Sequence, residues 1–564
     1  MATAEAGRSD KRLTALRATG VDGILVATLV CLALAAAAWI MHEGRGLIFF
    51  YDEWTWLLYR RDGLDGLLEP HNGHLSLVPL LVFKLLFGVV GTEPYWVYRL
   101  VAVLSHLLCV ALLFALVRRR LGAGIALAAA TVLLLLGAAW QVILWPFEIS
   151  FLFSVASGLG ALLALDSGSR RGDRLASVLV LIALASSGLG LAVAAGVLAE
   201  LLVTREGRRR LWVAVAPLVV YVGWYVVVLP VGEAKRGNVD AIPGYVADAA
   251  AGAVGAVTGL GLEWGRVLLA LGAIVVILRL LAAGPLPARL IGVLTTGLTY
   301  WVLVALARAH LNEPLASRYL YFGAVSVLLI AVMAVRGSRL APRAWLLLGL
   351  AVGASVLANL GDLRAGSSDL RGDSNSLRAA LAAVELAGAA VAPTTPPEHT
   401  IAPQLTAGRY RALVADLGSP IGGPMNVVDD GAPSAVAVDA ALARVLGVAL
   451  HPADGAIGSQ PPSVGVIAGR VRREGACVRY TPVRPGAALD VTVDAGSSVV
   501  LRGARAPAEL RLRRMSATFP AGPFGSVRPG GVVELTTPSD PISRPWVLRV
   551  SSSAPLRACA GDAG

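Results

Sequence analysis

Residues 49–90 read FFYDEWTWLLYRRDGLDGLLEPHNGHLSLVPLLVFKLLFGVV, and their order of apolar and polar groups decides the fold. An apolar run at 23–40, close to the length a bilayer-crossing helix needs, precedes them. Asp52 and Glu53 stand where that helix emerges, and a polar loop, Glu69-Pro-His-Asn-Gly-His74, follows. A carboxylate at the membrane–water boundary is costly to hold there, which marks it as functional. Its structural alternative is that Asp52 caps the helix DEWTWLLYRR, since Asp is favoured at N-caps. The stretch 75–90 contains Pro79 and Lys84 and is short for a span. It reads as an interfacial amphipathic helix with Lys84 snorkelling. A full span would put Arg118-Arg119-Arg120 outside, against the rule that basic loops stay cytoplasmic.

Working outward, the chain has 564 residues, is 56% hydrophobic and has a mean hydropathy of +0.69, which excludes an ordinary soluble enzyme. Helices are expected near 21–41, 94–117, 122–144, 149–165, 175–186, 188–203, 211–230, 263–282, 289–307, 318–335 and 343–360, about eleven crossings with the short pair included. The first follows a basic N-terminus and lacks a small-residue cleavage site, so it is read as retained. Arginines at 118–120, 170, 171 and 174, 205 and 208–210, and 336, 339 and 343 then fall on the cytoplasmic side. The net charge of +12 is therefore a topology signal, and no nucleic-acid partner is implied.

The expected fold class is a polytopic α-helical membrane protein with a C-terminal extracytoplasmic α+β module. Residues 1–20 read as a disordered cytoplasmic tail and 21–361 as the transmembrane domain. Residues 362–463 read as a mixed external region, with an Ala-rich helix at 376–391 ended by PTTPPE. From 464 to 564, short β-type runs such as ALDVTVDAG and WVLRVSS alternate with turns and suggest a β-sandwich. Trp546 and Tyr480 are its candidate glycan-stacking aromatics. Cys31 and Cys109 lie within spans as small apolar fillers, whereas Cys477 and Cys559 lie outside and are expected to pair.

Polar groups gather at the outer ends of these helices. The first external loop supplies Asp52, Glu53, His71, Asn72 and His74. QVILWPFEIS supplies Gln141 and Glu148, and RAHLNEPLASRYLY supplies Arg308, His310, Asn312, Glu313, Arg318 and Tyr319. A partly desolvated carboxylate can take a proton from an acceptor hydroxyl, and an arginine can bind a phosphate leaving group bidentately. Each residue also has a structural reading. His71 and His74 can hydrogen-bond their own loop, Glu148 can end a helix beside Pro146, Arg318 can anchor at the interface, and Arg99 can pair with a loop carboxylate. Trp54, Trp56, Tyr95, Trp96 and Trp145 read as interface belt.

Asp52-Glu53, His71-Asn72-Gly73-His74, the run Leu75 to Gly88, Arg99 in YWVYRLVAVLSH, RRRLG at 118–122, Glu148 and SRYLY at 317–321 follow one another in a recognisable order. The pattern resembles the GT-C superfamily of membrane glycosyltransferases, in its protein O-mannosyltransferase-like and polyprenyl-phosphate-sugar-dependent branch. The resemblance covers about 340 residues and is best over 45–122. It implies inverting transfer of a sugar from a polyprenyl-phosphate donor to an envelope glycan, lipid or protein acceptor, outside the bilayer. Asp52 would be the catalytic base, Glu53 or Glu148 would position the acceptor or a divalent metal, and Arg318 would contact the carrier phosphate. The pattern assigns no cofactor, leaves a divalent metal open and names no metal ligand set. One departure stands out. Many relatives carry a lysine in the segment matching ALASSGLGLAV, and here that segment has only Ser186 and Ser187.

Two other functional classes compete. A transporter or flippase for a lipid-linked saccharide would show charges inside the spans and internal repeats, and the chain shows few of the former and no clear repeat. A catalytically inactive, glycan-binding scaffold of the same fold would keep the acids without a donor site.

Overall fold

The computed structural model describes residues 2–60, 66–228, 234–283, 286–334, 341–453, 457–503 and 505–561. Helices, in chain order, are α1 (Ala2–Glu43), α2 (Glu53–Tyr59), α3 (Leu77–Val90), α4 (Tyr95–Leu121), α5 (Ala123–Leu134), α6 (Trp140–Leu144), α7 (Ile149–Leu165), α8 (Arg170–Leu184), α9 (Leu189–Leu202), α10 (Arg205–Arg208), α11 (Trp212–Val228), α12 (Ile242–Thr258), α13 (Gly261–Ala283), α14 (Ala288–Arg308), α15 (Ser317–Ala334), α16 (Pro342–Ala387), α17 (Ala407–Leu417), α18 (Pro424–Asp429) and α19 (Ala432–Leu446). Among the described residues eleven strands follow: β1 (Ala449–Pro452), β2 (Val464–Ile467), β3 (Gly469–Glu474), β4 (Cys477–Pro482), β5 (Ala488–Val493), β6 (Ser498–Gly503), β7 (Ala508–Arg513), β8 (Gly525–Val527), β9 (Val532–Thr536), β10 (Trp546–Ser552) and β11 (Leu556–Ala560). The chain forms two compact units. One comprises Met1–Arg45, Tyr59–Val89 and Trp96–Leu370, the other Gly46–Leu58, Val90–Tyr95 and Arg371–Gly564.

The first unit is a multi-pass membrane protein. Among the described residues, 7 helices are long and apolar enough to cross a bilayer, or 8 if the bent pair at 123–144 is one span. Three shorter apolar helices, α3, α9 and α11, accompany them. Small residues let the helices approach closely. Ala161, Ala164, Ala176, Ala194 and Ala214 interleave with Val180, Leu184 and Val197 in one core cluster.

Several expectations are corrected here. The side chains of the tail expected at residues 1–20 lie, save Gly20, outside those described, and the span within α1 is Asp22–Glu43. The helix expected at 122–144 is broken after Leu134 and bent by 42°. The break is held by Asn359, whose side-chain oxygen accepts the Ala138 N–H at 2.9 Å and so satisfies the start of the new segment. α12 was not expected, because its Ala- and Gly-rich sequence lacks the apolarity of a span. The helix read at 343–360 and most of the one read at 376–391 are parts of the 46-residue α16, which ends at Ala387.

The arginine clusters carry specific ion pairs. Arg118 meets Asp22 at 3.0 Å, and the Arg210 Nε donates to Asp173 at 2.9 and 3.0 Å. Asp166 receives Arg120 at 2.7 Å and Arg289 at 3.0 Å, while Arg289 also reaches Glu200 at 2.7 Å. Four helices are thereby joined at one end of the bundle. Arg336 and Arg339 lie outside the described residues.

In the second unit, the mixed segment before the strands resolves into α17, α18 and α19. Tyr410 and Ser419 both donate to Glu385 at 2.6 Å, tying α17 to the end of α16. The strands form two antiparallel sheets, of order β1-β9-β6-β11-β4-β3 and β2-β5-β10-β7-β8. Alternate residues of β7 and β10 are buried, the period-two pattern of strands with one covered face. Cys477 and Cys559 sit opposite each other on β4 and β11 and form a disulfide, as expected. Asp439 of α19 accepts the Met515 and Ser516 N–H groups at 2.5 and 3.1 Å. Trp546 and Tyr480 are fully buried, so neither is placed to stack on a glycan. Trp546 packs instead under Arg514, which pairs with Asp540 at 2.7 Å in complete burial. The belt reading also changes: Trp54, Trp56, Tyr95 and Trp145 are buried, and of the five only Trp96 is exposed.

Candidate functional site

The polar loop of the first unit is built on its Asn-Gly pair. Asn72 and Gly73 have φ of 49° and 72°, the positive pair of a type I′ turn, and Asn-Gly is the dipeptide that adopts it most readily. The His71 and His74 backbones exchange hydrogen bonds of 2.9 and 3.0 Å across the turn. This sets the two histidines side by side. Arg60 braces the approach by donating to the carbonyls of Glu69 at 3.1 Å and Pro70 at 2.6 Å. Asn-Gly between two histidines was the available sequence signal for this geometry.

His71 is buried and packs on Phe147, with ring centroids 5.3 Å apart. His74 lies against Gly188 at the start of α9, where any Cβ would come within 2.7 Å of the imidazole. Burial, reinforced by the positive Arg308 and by His71, pushes the His74 pKa down to about 4. His74 is therefore neutral at physiological pH. The segment ALASSGLGLAV thus meets this imidazole at Gly188. Its two serines serve the backbone and each other: Ser186 donates to Ile182 O, and Ser187 accepts the Leu189 N–H and bonds Ser154.

Lys235 donates to His310 Nε2 at 2.8 Å, and Asn238 donates to Leu306 O at 2.8 Å. Arg308, His310 and Lys235 form a basic group at the end of α14. Asn312, with φ of 54°, turns the chain toward α15. There Gln141 and α15 cap each other: Gln141 N–H donates to Ser317 Oγ at 3.1 Å, and Gln141 Oε1 accepts the Arg318 N–H at 3.2 Å. The Arg318 guanidinium lies 4.9 Å from the Tyr319 ring centroid and within electrostatic reach of Glu148 and Glu313. The Tyr245 hydroxyl donates to Glu313 O at 3.2 Å and couples electrostatically to both Arg308 and Arg318. The first unit thus brings His71, His74, Glu148, Arg308, His310, Arg318 and Tyr319 into one linked constellation. Lys235 and Tyr245 join it without having been singled out in the sequence; both lie outside the apolar runs that organised that reading.

Arg99 is buried and donates to the carbonyls of Ile40 at 2.8 Å and Met41 at 3.2 Å, capping the end of α1. Asp52 and Glu53 belong to the second unit. Tyr51 holds a φ of 45°, costly for a bulky side chain, immediately before the half-buried Asp52. Glu53 is fully buried at the start of α2, accepting the Phe50 N–H at 2.8 Å and the Tyr95 hydroxyl at 3.0 Å. Among the described residues, no group of three or more His, Cys, Asp or Glu is arranged to hold a metal ion.

No family model and no curated protein sequence matches this chain. Among solved structures it is similar to ArnT from Cupriavidus metallidurans bound to undecaprenyl phosphate, at 17% identity and a TM-score of 0.42. That alignment covers 67% of this chain and 82% of the other. The apo state of the same ArnT gives 16% identity and a TM-score of 0.44, with the same coverage of 67% and 82%.

Proposed function

We propose that this protein is a membrane glycosyltransferase that moves a sugar from a polyprenyl-phosphate-linked donor to a cell-envelope acceptor on the extracytoplasmic face, with inversion. The observation that carries the reading is the linked His74–Arg308–Tyr245–Arg318 constellation, of which His74 and Arg318 lie in segments that resemble the GT-C pattern. In this reading the Asp52 carboxylate takes the acceptor hydroxyl proton as the acceptor oxygen bonds to the sugar C1. The C1–O bond to the carrier phosphate breaks, and the polyprenyl phosphate leaves with the bonding pair. Arg318 contacts the leaving phosphate, and Arg308, coupled to the same Tyr245, adds positive charge beside it. Glu53 positions the Asp52 turn from within its buried hydrogen bonds, and Glu148 orients Arg318.

The reading extends to topology. α3 lies at the interface, the short helices complete about eleven crossings, and the N-terminus is cytoplasmic. Residues 362–463 and 464–564 are external, with the two sheets forming a sandwich in an oxidising compartment that suits the disulfide.

The test is transfer in membranes with radiolabelled polyprenyl-phosphate sugars, comparing wild type with Asp52→Asn at equal protein level. Label should pass to an envelope acceptor, and the variant should lose about 10²–10⁴-fold in rate. A variant that transfers at the wild-type rate removes Asp52 as base, and no transfer from any such donor removes the enzyme reading.

A further inference from the structure

A cleft of about 470 Å³ opens in the first unit, within the range of small-molecule pockets. Its functional lining is Trp140, Gln141, Glu313, Arg318, Asp362 and Asp369. Trp140 packs on α16 at Gly366, where a Cβ would fall 2.2–2.6 Å from the indole. Only glycine permits that approach. Gln141, the next residue, is fixed by its reciprocal bonds with Ser317 and Arg318. An aromatic wall and a planar amide are therefore held rigidly in the lining. Flanking Gly366 on α16, Asp362 and Asp369 lie two turns apart and are exposed. With Glu313 they set three carboxylates against the single Arg318, an excess of negative charge.

We infer that this cleft binds the acceptor of the proposed transfer, and that the acceptor is a saccharide carrying no anionic group. Carboxylates and an amide pair with sugar hydroxyls, and an indole offers its face to the apolar side of a sugar ring. The excess carboxylate repels a phosphorylated or uronate-bearing sugar by like charge. The role as acceptor rests on the glycosyltransferase reading, whereas the binding does not require catalysis.

The full chain in nanodiscs, without donor, is titrated with maltotriose, with the trimer of glucosamine and with trigalacturonate, followed by saturation-transfer NMR and calorimetry. Maltotriose and the glucosamine trimer should bind, and trigalacturonate should bind at least about tenfold more weakly, one 1.4 kcal/mol increment. Trp140→Ala should weaken maltotriose about tenfold, the scale of one aromatic contact. Asp369→Asn should narrow the gap between maltotriose and trigalacturonate, and it serves as the second variant should Trp140→Ala misfold. Absence of saturable binding of maltotriose and the glucosamine trimer, equal binding of trigalacturonate, or titrations unmoved in both folded variants would overturn the inference. Saccharide binding without transfer from any donor removes the enzyme and keeps the cleft. Transfer with an acceptor KM unchanged in both variants keeps the enzyme and removes the cleft.

Discussion

Replacing Cys477 and Cys559 with alanine tests the C-terminal strand module and its proposed external placement together. Alanine is the right choice because Cys559 is fully buried, where a serine hydroxyl would add an unmet polar group. The disulfide closes a loop with a sequence separation of 82, for which chain entropy gives about 4.5 kcal/mol at 25 °C. In a domain of roughly 100 residues each kcal/mol moves the melting temperature by about 4–8 °C, so the strand region should melt about 20 °C or more below wild type. Differential scanning calorimetry of the purified full chain, with and without reductant, reads this directly. The transition lowered by reductant in wild type should coincide with that of the double variant, while the helical transition should not move. Alkylation of thiols in intact cells, read as a mass shift, completes the assay. Cys477 and Cys559 should resist alkylation until reduced. A melting shift of only a few degrees would refute the entropic reasoning, and free thiols in unreduced cells would place the module in a reducing compartment.

Four further outcomes follow from the site and the bundle. Gly188→Ala drives a Cβ to within 2.7 Å of the His74 ring and should cost about 1–3 kcal/mol by overpacking, read as a lower melting temperature together with reduced transfer. Asn72→Ala, at a φ of 49°, should destabilise the turn by roughly 1–2 kcal/mol through its backbone, a strain that Asn72→Gly should not add, both read by thermal scanning. Because folding holds the His74 pKa near 4, below its ordinary 6.5, His74 contributes its full share of stability above pH 6.5; that share falls as the pH drops toward 4, where both states are protonated. A His74→Gln variant should therefore show a flatter stability profile between pH 6.5 and 4. Arg289→Met leaves Asp166 and Glu200 short of a partner and should cost roughly 3 kcal/mol, the low end for buried pairs, measured by urea unfolding in micelles.

The one-dimensional pattern was enough for what depends on it. Apolar runs mark spans because a bilayer accepts only long apolar helices. Arginine clusters mark loop ends, and turn-separated β runs mark the C-terminal sheets. The positions of Cys477 and Cys559 in a strand-rich, span-free segment were sufficient to pair them. The polar residues of the site were also legible, since acids, histidines and arginines beside apolar runs stand out by type.

Tertiary structure decided their partners. Asn359 lies 221 residues from the Ala138 N–H that it accepts, and this contact helps hold the break in the helix expected at 122–144. Arg99 caps carbonyls 58 and 59 residues away, an acceptor set that no local pattern announces. Tyr245 reaches the site from a helix too Ala- and Gly-rich to look like a span. Trp546 and Tyr480 have the composition of surface stacking groups, yet they fill the core because strand pairing turns their faces inward. The physical reason is common to all four. Hydropathy and spacing are sums over neighbours in the chain, while burial, capping and charge pairing are sums over neighbours in space, and only the packed chain specifies which those are.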